Sequence, residues 1–302
     1  MSAVVVNPSR VRDLDGLRRQ CQRIAAGYGW APPRILLTSK ADAGAGVALS
    51  AVEAGAQLIV CVGGDGTVRD CAQSLAGTSV PLAIVPTGTA NLTARAVGVP
   101  AGMEAALATG FGGEDARIDV ATADGAVFTA MAGMGLDAAV VAATPDAARR
   151  LAGWPAYAGS AVSQLLRRPV TFTVRLDGGE PLTRRARSVT VGNSGALPGG
   201  FVVLPGACVD DGLLDVLILA PSGLAGWADV GLRVAVGSLG EGRQLERHQA
   251  GTVEIRADAE LPRQIDGEII ASGRSLTVAV RPGALLVRVP PVSQPRCGSQ
   301  AG

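Results

Sequence analysis

The first third of the chain alternates short apolar runs with segments of helical spacing. The apolar runs predict four strands, AVVVNP, RILLTS, QLIVCVGG and PLAIVPTG, and the segments that follow them predict four helices, over residues 11–27, 44–54, 67–75 and 89–96. Strands that alternate with helices usually form a parallel sheet with helices on its faces. This part of the sequence therefore predicts an α/β domain.

Beyond about residue 120 the pattern changes to short, partly alternating strands separated by D-G, G-G and P-G turns. The predicted strands are AVFTAMAG, VTFTVRLDGG, RSVTVGNSG, GLLDVLILA, GTVEIRA, QIDGEII, SLTVAV and ALLVRVP. Two helices interrupt them, predicted over residues 145–167 and 222–238. We therefore expect an α/β domain over residues 1–118, a β-rich domain over 119–290 and a flexible tail over 291–302.

Two of the predicted strands end in a glycine-bearing turn that leads into a predicted helix. The first turn is Gly63-Gly64-Asp65-Gly66-Thr67, and the second, within PTGTANLTAR, contains Gly88, Thr89 and Asn91. Both turns should lie at the carboxyl edge of the parallel sheet, where open α/β folds bind ligands. The N–H groups and the positive end of a helix N-terminus favour phosphate, and glycine lets a phosphate approach the backbone. The two turns therefore predict a phosphate-binding pocket.

The first turn also has a purely structural interpretation, in which Thr67 is the N-cap of a helix after a tight strand-to-helix turn. Asp65 is its unusual member, because a carboxylate beside a polyphosphate is repelled unless it acts through a metal, a water or the sugar. The chain contains no G-x-x-x-x-G-K-[ST] loop and no G-x-G-x-x-G fingerprint. The turns thus differ from the common nucleotide-binding motifs.

Composition removes several other classes of function. The net charge of +1 gives no overall electrostatic footprint for nucleic acid. The five cysteines form no C-x-x-C pair, so no zinc site is indicated, and the single histidine, His248, excludes an H-E-x-x-H metal site. Because no apolar run has the length of a membrane span and the N-terminus lacks signal-peptide features, we expect a cytoplasmic protein.

Taken in order, the motifs resemble the diacylglycerol kinase catalytic-domain family of bacterial lipid kinases, which is related to sphingosine kinases and NAD kinases. They are VVNPSR at 5–10, GGDGT at 63–67, PTGTANLTAR at 86–95, GMGLDA at 133–138, GWPAY at 153–157, GN at 192–193, GGF at 199–201, PGACVDDGLLD at 205–215 and DGE at 266–268. The resemblance covers nearly the whole chain. It implies a diacylglycerol kinase-like and NAD kinase-like α/β domain that binds nucleotide, followed by a β-rich C-terminal sandwich domain.

The resemblance implies transfer of the γ-phosphate of ATP to the hydroxyl of diacylglycerol or a related lipid alcohol, with Mg²⁺ as the metal ion. By motif position, the nucleotide site would be lined by Asn7, Thr38, Gly63, Gly64, Asp65, Gly66, Thr67, Val68, Arg69, Asp70, Thr89 and Asn91. Glu268 and Asp65 are the catalytic candidates, with Glu268 of the DGE motif as general base. A structural magnesium site is implied at Asp211 with the backbone carbonyls of Cys208 and Leu213.

Two positions depart from the family pattern. Many members have Asp after the asparagine of the second turn, where this chain has Leu92, so Asp65 is expected to hold the catalytic magnesium alone or with a water. Arg10 replaces the usual glycine after N-P-x-S. Without the family, residues 266–268 are interpreted as a hairpin turn with a solvated acid, and residues 210–212 as either a turn or a hard-cation site.

The leading hypothesis is a cytoplasmic, peripherally membrane-associated lipid kinase, with phospholipid biosynthesis as its context. Its partner would be a lipid alcohol at the membrane surface, near Trp154, Tyr157 and flanking arginines, although core packing explains these aromatic residues equally well. One alternative is NAD kinase-like phosphorylation of a soluble acceptor. Another is a non-catalytic nucleotide- or lipid-binding regulator, which Leu92 motivates. A homodimer is left open.

Overall fold

The computed structural model describes residues 1–136, 168–195, 204, 206–235, 242 and 244–291. It divides into two compact units, Met1–Val120 with the described residues from Pro282 onward, and Ala121–Arg281. The sequence-based division places residues 282–290 in the second domain, whereas by compactness they belong to the first unit. The flexible tail predicted over 291–302 lies outside the described residues, except for Pro291.

The first unit is built on a parallel sheet. Its strands are β1 (Ser2–Val6), β2 (Arg34–Leu37), β3 (Leu58–Gly63) and β4 (Leu82–Pro86), and its helices are α1 (Leu14–Gly27), α2 (Ala45–Glu53), α3 (Asp65–Leu75), α4 (Leu92–Ala96) and α5 (Met103–Gly112), with a 3-10 turn over Pro8–Arg10. The strands pair in parallel in the order β2-β1-β3-β4. The predicted α/β class with a parallel sheet is therefore confirmed.

The central strands of this sheet are fully buried. Residues 3–6 of β1 and 58–62 of β3 have no exposed surface, as expected for apolar strands covered by helices on both faces. Helix α1 shows the i, i+4, i+7 spacing of an amphipathic helix, and its buried residues are Leu17, Cys21, Ile24 and Ala25. Asp13 caps this helix by accepting the N–H of Gly16 at 2.8 Å.

The sequence pattern does not predict helix α5, because its sequence, MEAALATGFG, is rich in small residues and glycine. In the structure the glycines allow close packing. A Cβ at Gly110 would lie 3.0 Å from the Cβ of Ala83 in β4, and a Cβ at Gly112 would overlap the ring of Tyr28. Residues that look like a linker in the sequence thus let a helix approach the sheet.

The second unit is β-rich and antiparallel. Its elements are β6 (Ala126–Phe128), β7 (Met131–Gly135), β8 (Val170–Leu176), β9 (Leu182–Ala186), β10 (Ser188–Gly192), β11 (Leu214–Leu219), α6 (Gly223–Ala235), β12 (Leu245–Ala250) and β13 (Thr252–Ile265). The chain passes between the units within β5 (Glu114–Ala123) and β14 (Glu268–Val289). Antiparallel pairing joins β12, β11, β10, β7 and β13 in that order, and β13 also pairs with β8 and β14.

Strand β13 changes partner along its length. Residues 253–257 pair with β8 and residues 263–265 pair with β7, while the register with β14 shifts at Leu261. Such irregularities bend a strand and let it pass from one sheet to another. Phe128 and Phe172 are fully buried in the core of this unit, among apolar side chains from β7, β8, β10 and β11. The predicted β-rich sandwich class is confirmed.

The elements predicted in the second half are partly present. The helix predicted over 222–238 is observed over Gly223–Ala235, and the helix predicted over 145–167 lies outside the described residues. The structure does not contain three separate strands at QIDGEII, SLTVAV and ALLVRVP. The first run contains a hairpin turn, and residues 268–289 after that turn form the single strand β14. Within the described part of the chain, no helix combines the length and apolar character needed to cross a membrane.

Candidate active site

Polar residues form a row where the parallel strands of the first unit end. Thr38, Asn7 and Thr87 follow β2, β1 and β4, and each donates its N–H to a carbonyl at the end of the neighbouring strand, at 2.9, 3.0 and 2.9 Å. The ladder of hydrogen bonds therefore continues one residue past each strand. This continuation aligns the three residues with the glycine turn after β3, at the edge where the sequence predicts a ligand.

The two glycine turns of this edge lie against each other. A Cβ at Gly64 would lie 3.3 Å from the Cα of Gly88, and a Cβ at Gly88 would lie 2.8 Å from the Cα of Gly64. Both distances are shorter than ordinary carbon–carbon contact. Close approach of the turns thus requires glycine at position 88 and makes a side chain at position 64 tight, in addition to the phosphate access that the sequence suggests.

Glycine at position 63 has a different, local cause. A Cβ there would lie 2.6 Å from the Cβ of Thr67, whose side chain covers the end of β3. The N-cap role that the purely structural interpretation gives Thr67 is wrong, because α3 begins at Asp65 with Gly64 as its N-cap and Thr67 is buried in the first turn. The Thr67 hydroxyl instead accepts a hydrogen bond from Nδ2 of Asn7 at 3.3 Å. This bond joins the end of β1 to α3.

Asp65 joins the first glycine turn to the second. Its Oδ2 accepts the N–H of Asn91 at 2.8 Å, and its Oδ1 accepts the N–H of Leu92 at 2.6 Å. Helix α4 begins at Leu92 rather than at the predicted Thr89, so Asp65 caps this helix from another part of the chain. The expected role of Asp65 as a magnesium ligand stays a prediction, and the structure gives both of its oxygens a backbone donor.

Asn91 stabilises the second turn from within. It has a left-handed backbone with φ of 51°, a conformation that asparagine tolerates better than most residues. Its Oδ1 accepts the N–H of Gly88 at 2.9 Å, and its Nδ2 donates to the carbonyl of Gly88 at 3.0 Å. Both polar groups of the side chain therefore hold the turn. The predicted role of Asn91 in nucleotide binding would then be to set the conformation of the loop.

The other predicted nucleotide residues differ in accessibility. Val68 is buried and donates its N–H to the carbonyl of Gly64 at 3.0 Å, so neither its side chain nor its N–H points to a ligand. Arg69 and Asp70 form a partly buried ion pair at 3.5 Å. Thr38 is buried, Gly66 is half-buried and Thr89 is exposed.

Thr87 is a candidate site residue that the sequence analysis does not single out. Among the described residues its Oγ1 is buried and has no hydrogen-bond partner. The hydroxyl belongs to the segment that faces the first glycine turn, because the N–H of the same residue bonds to Gly63. A buried hydroxyl without a partner costs free energy, and a polar ligand at this edge would supply the missing bond. Its position beside Gly88 in the PTGT motif is the sequence signal that could have identified it.

In the second unit, Glu268 begins β14 directly after the Asp266-Gly267 turn. Both turn residues have positive φ, 47° and 78°, as in the two-residue hairpin turns favoured by Asp-Gly. The hairpin interpretation of these residues is therefore confirmed for the backbone. Glu268 is exposed and pairs across the hairpin with Ile265, whereas Asp266 is buried rather than solvated.

The predicted structural magnesium site lies in the turn before β11. Asp211 is exposed, and its Oδ1 accepts the N–H of Leu213 at 3.0 Å across Gly212, whose φ is 74°. Burial is the main cause that raises the pKa of the nearby Asp215 to about 6, a value that includes a smaller increase from the charge of Asp211 and decreases from Gln249 and Arg247. Carboxylate and carbonyl oxygens suit a hard cation such as Mg²⁺, but within the described residues no three His, Cys, Asp or Glu side chains come together as a metal-binding group. The ligand set of Asp211 with the carbonyls of Cys208 and Leu213 stays a prediction.

Two family models match the chain. The diacylglycerol kinase catalytic domain matches residues 3–123, and the YegS C-terminal NAD kinase beta sandwich-like domain matches residues 130–289. A relative from Pseudomonas fluorescens (strain Pf-5), named "probable lipid kinase YegS-like", is 34% identical over 272 residues, which cover 89% of this chain and 88% of the relative. A relative of the same name from Pseudomonas aeruginosa PAO1 is 35% identical over 252 residues, with coverages of 80% and 79%.

Solved structures show the same fold. A diacylglycerol kinase from Bacillus anthracis str. Sterne is similar, with a TM-score of 0.73 and 23% identity over 96% of this chain and 97% of that chain. An NAD kinase from Archaeoglobus fulgidus, solved in complex with ATP, has a TM-score of 0.52 and 15% identity over 95% and 93% of the two chains. The order of motifs, the matched domain models and the identity to the Pseudomonas relatives agree: the chain belongs to the YegS-like lipid kinase family.

Proposed function

We propose that this protein is an ATP-dependent lipid kinase that transfers the γ-phosphate to the hydroxyl of diacylglycerol or a related lipid alcohol. The single observation that carries the proposal is the contact between the Gly64 and Gly88 turns at the carboxyl edge of the parallel sheet, in a chain of the YegS-like lipid kinase family. Two touching turns at this edge form a loop surface of the kind that phosphate groups use.

The first unit would bind the triphosphate mainly through its backbone. The first N–H groups of α3 have no acceptor within the helix, so those of Gly66 and Thr67 are available in principle to phosphate oxygens. The buried Thr87 hydroxyl supports a polar ligand at the same edge. Arg69 lies half-buried in α3 just beyond the first turn of the helix, where it forms an ion pair with Asp70. Asp65 would act by holding the turns together rather than by binding the ligand.

Glu268 would act as the general base for the lipid hydroxyl. As the hydroxyl oxygen forms its bond to the γ-phosphorus, the bond from that phosphorus to the β,γ-bridging oxygen breaks and ADP leaves, while the hydroxyl proton passes to the Glu268 carboxylate. Bound Mg²⁺ would neutralise charge on the phosphate oxygens. Asp211 with the carbonyls of Cys208 and Leu213 would hold a second, structural ion.

The direct test is an assay with purified protein, γ-labelled ATP and Mg²⁺, with either diacylglycerol in mixed micelles or NAD as acceptor. We expect label in phosphatidic acid, with none in NADP. Label in NADP would favour a soluble acceptor, which the fold similarity to an ATP-bound NAD kinase makes the second candidate. Binding of ATP without product in either arm would favour a regulator and contradict the proposal. Ceramide and monoacylglycerol micelles extend the assay to related lipid alcohols.

Peripheral membrane association and a cytoplasmic location belong to the same proposal, since the acceptor is a membrane lipid. The residues predicted to face the membrane, Trp154 and Tyr157, lie outside the described residues. We expect the protein to sediment with vesicles that contain diacylglycerol and anionic lipid, and to stay in solution with neutral vesicles. Sedimentation-equilibrium measurement of its mass would decide whether it is a homodimer.

A further inference from the structure

Among the described residues of the second unit, three Asp-Gly turns have positive φ at both residues, and one of the three differs from the other two. In Asp124-Gly125, Asp177-Gly178 and Asp266-Gly267 both residues have positive φ, so the backbone chemistry of the turns is the same. The Asp124 and Asp177 side chains are exposed, whereas Asp266 is only 8% exposed. The difference shows that turn chemistry alone does not account for the aspartate at position 266.

The Asp266 carboxylate binds three consecutive backbone N–H groups between β6 and β7. Its Oδ1 accepts those of Ala130 at 2.9 Å and Met131 at 3.0 Å, and its Oδ2 accepts that of Thr129 at 3.1 Å. The Thr129 hydroxyl also donates to Oδ2, at 3.4 Å. In return, the Asp266 N–H donates to the Met131 carbonyl at 2.7 Å. The hairpin turn is thus bound in both directions to a segment more than a hundred residues away in sequence.

The bonds of Asp266 extend to its neighbours in the turn. Gln264 is 2% exposed, and its Oε1 accepts the Gly267 N–H at 2.8 Å. On the other side, the Ala130 carbonyl accepts the N–H groups of Asn193 and Ser194 at 2.8 and 3.3 Å. The GN and DGE motifs therefore contact the same short segment of backbone. Buried networks with many hydrogen bonds of this kind hold a single conformation.

We infer that Asp266 is a positioning residue whose buried carboxylate locks the hairpin to residues 129–131 and thereby fixes the start of β14, where Glu268 lies. The inference rests on the proposed role of Glu268 as general base. Only Gly267 separates Asp266 from the proton acceptor Glu268, so a shift of the turn moves Glu268 directly. Misplacement of a reacting group by about 1 Å can cost about 100-fold in rate.

Asp266→Asn is the informative variant because it preserves shape and changes only hydrogen-bonding capacity. An amide has one oxygen acceptor and one NH₂ donor, so it cannot accept on both sides as the carboxylate does. At least one of the three backbone donors would face another donor. Thr129→Val is a milder variant, since it removes only the hydroxyl bond and keeps the side-chain volume. Asp124→Asn is the matched control, an Asp-Gly turn of the same unit whose more exposed aspartate accepts one backbone N–H, that of Thr277, and pairs with Arg263.

The experiment measures lipid phosphorylation by these variants in the wild-type and Glu268→Gln backgrounds. For Asp266→Asn we expect kcat to fall at least about tenfold while KM for ATP stays within about twofold, and Thr129→Val to show a smaller loss of the same kind. In the Glu268→Gln background the same change should cost less than about twofold, because there is no base left to position. Equal losses in both backgrounds, or no more loss than in Asp124→Asn, would overturn the inference.

Amide hydrogen exchange without substrate separates this inference from the proposed function. We expect Asp266→Asn, and not Asp124→Asn, to speed exchange at Ala130, Met131 and Gly267 by at least about tenfold, whatever the enzyme's substrate. Unchanged exchange would show that the carboxylate does not hold the segment, and would overturn the inference even in an active lipid kinase. Two other results would contradict the catalytic part of the inference: faster exchange in a protein that has no lipid kinase activity, and full activity in Glu268→Gln. In either case Asp266 would hold the segment without positioning a base, and the proposed role of Glu268 would also be wrong.

Discussion

The GGDGT turn of the first unit and the DGE turn of the second both use an aspartate to bind backbone N–H groups of a distant segment, but they lie in different secondary structure. Asp65 binds the N–H groups of Asn91 and Leu92, and Asp266 binds those of residues 129–131. One turn follows a parallel strand and begins a helix, and the other joins two antiparallel strands. In both, a motif aspartate that looks like a ligand or a solvated acid is occupied by backbone amides of a distant segment.

An acidic residue in a kinase motif can thus be required for the geometry of a loop. Glu268 differs from both aspartates, because it is exposed and lies at the first position of a strand. The exposed acid is therefore the better candidate for direct chemistry, and the two aspartates are better candidates for holding the loops.

The largest effect is expected for Glu268→Gln. Removing a general base costs typically about 10²–10⁴-fold in rate, while the nucleotide turns in the first unit keep their structure. Transfer of label from ATP to lipid measures the loss, and equilibrium binding of ATP should be unchanged. Glu260→Gln, at another exposed acid of the same unit, is the control and should keep its activity. A fully active Glu268→Gln enzyme would place the base elsewhere and break the contrast between Glu268 and the aspartates.

The next effect is expected for Gly88→Ala. The new Cβ would lie 2.8 Å from both the Cα of Gly64 and Oδ1 of Asn91, so the two turns must separate and the Asn91 side chain must move. Overpacking of this kind costs about 1–3 kcal/mol, and we expect ATP affinity to fall by about tenfold or more. Isothermal titration with ATP measures it. Gly64→Ala should cost less, because its Cβ contact of 3.3 Å is longer.

Gly102→Ala is the matched control for the glycine variants. Its φ is −78°, and no atom lies within 4 Å of the Cβ position, so ATP affinity should equal that of the wild type. Unchanged affinity in Gly88→Ala as well would show that contact between the turns is unimportant for nucleotide binding.

A smaller effect is expected for Asp65→Asn. An amide has one oxygen, so at least one of the N–H groups of Asn91 and Leu92 loses its acceptor, at a cost of about 1–3 kcal/mol of folding free energy. Thermal unfolding should show this loss equally with and without Mg²⁺. Asp15→Asn, at an exposed aspartate in the first turn of α1, should have little effect. A loss that appears only when Mg²⁺ is present would assign Asp65 to the metal instead.

The smallest effect is expected for Asp211→Asn, which tests a third acidic turn. Asp211 is exposed and uses one oxygen for the Leu213 N–H, so unlike Asp65 and Asp266 it can still offer an oxygen to a cation. If this turn binds Mg²⁺, the ion should raise the melting temperature of the wild type by about a few degrees, and Asp211→Asn should lose most of the increase. Asp210→Asn should keep it. The same increase in melting temperature with Mg²⁺ in Asp211→Asn and in the wild type would show that Asp211 does not hold a structural magnesium ion.

Much of the first unit could be predicted from the sequence, because its elements have local causes. The run Leu58–Gly63 is apolar enough to be a buried strand, and the glycines after it break the strand where a helix pattern begins. Parallel pairing then places the ends of β3 and β4 at one edge. The positive φ of Asp266 and Gly267 likewise follows from the Asp-Gly sequence.

Other features could not be predicted, because their causes are distant in sequence. The glycines of α5 weaken its helical pattern in the sequence, and the reason for them is close packing against Ala83 and Tyr28, which are distant in sequence. In the purely structural interpretation Thr67 caps a helix, yet it is buried and bonded to Asn7. The buried hydroxyl of Thr87 has no distinguishing signal beyond its place beside Gly88.

The sequence by itself determined the strands, the glycine and Asp-Gly turns and the motif order that defines the family, since apolar period and turn chemistry act over a few residues. Only the tertiary structure decided what the acids do. Asp65 reaches amides 26 and 27 residues away, and Asp266 reaches amides 135 to 137 residues away. No local pattern encodes which distant N–H groups will meet a carboxylate, because that depends on how strands pair and how the loops between them are packed.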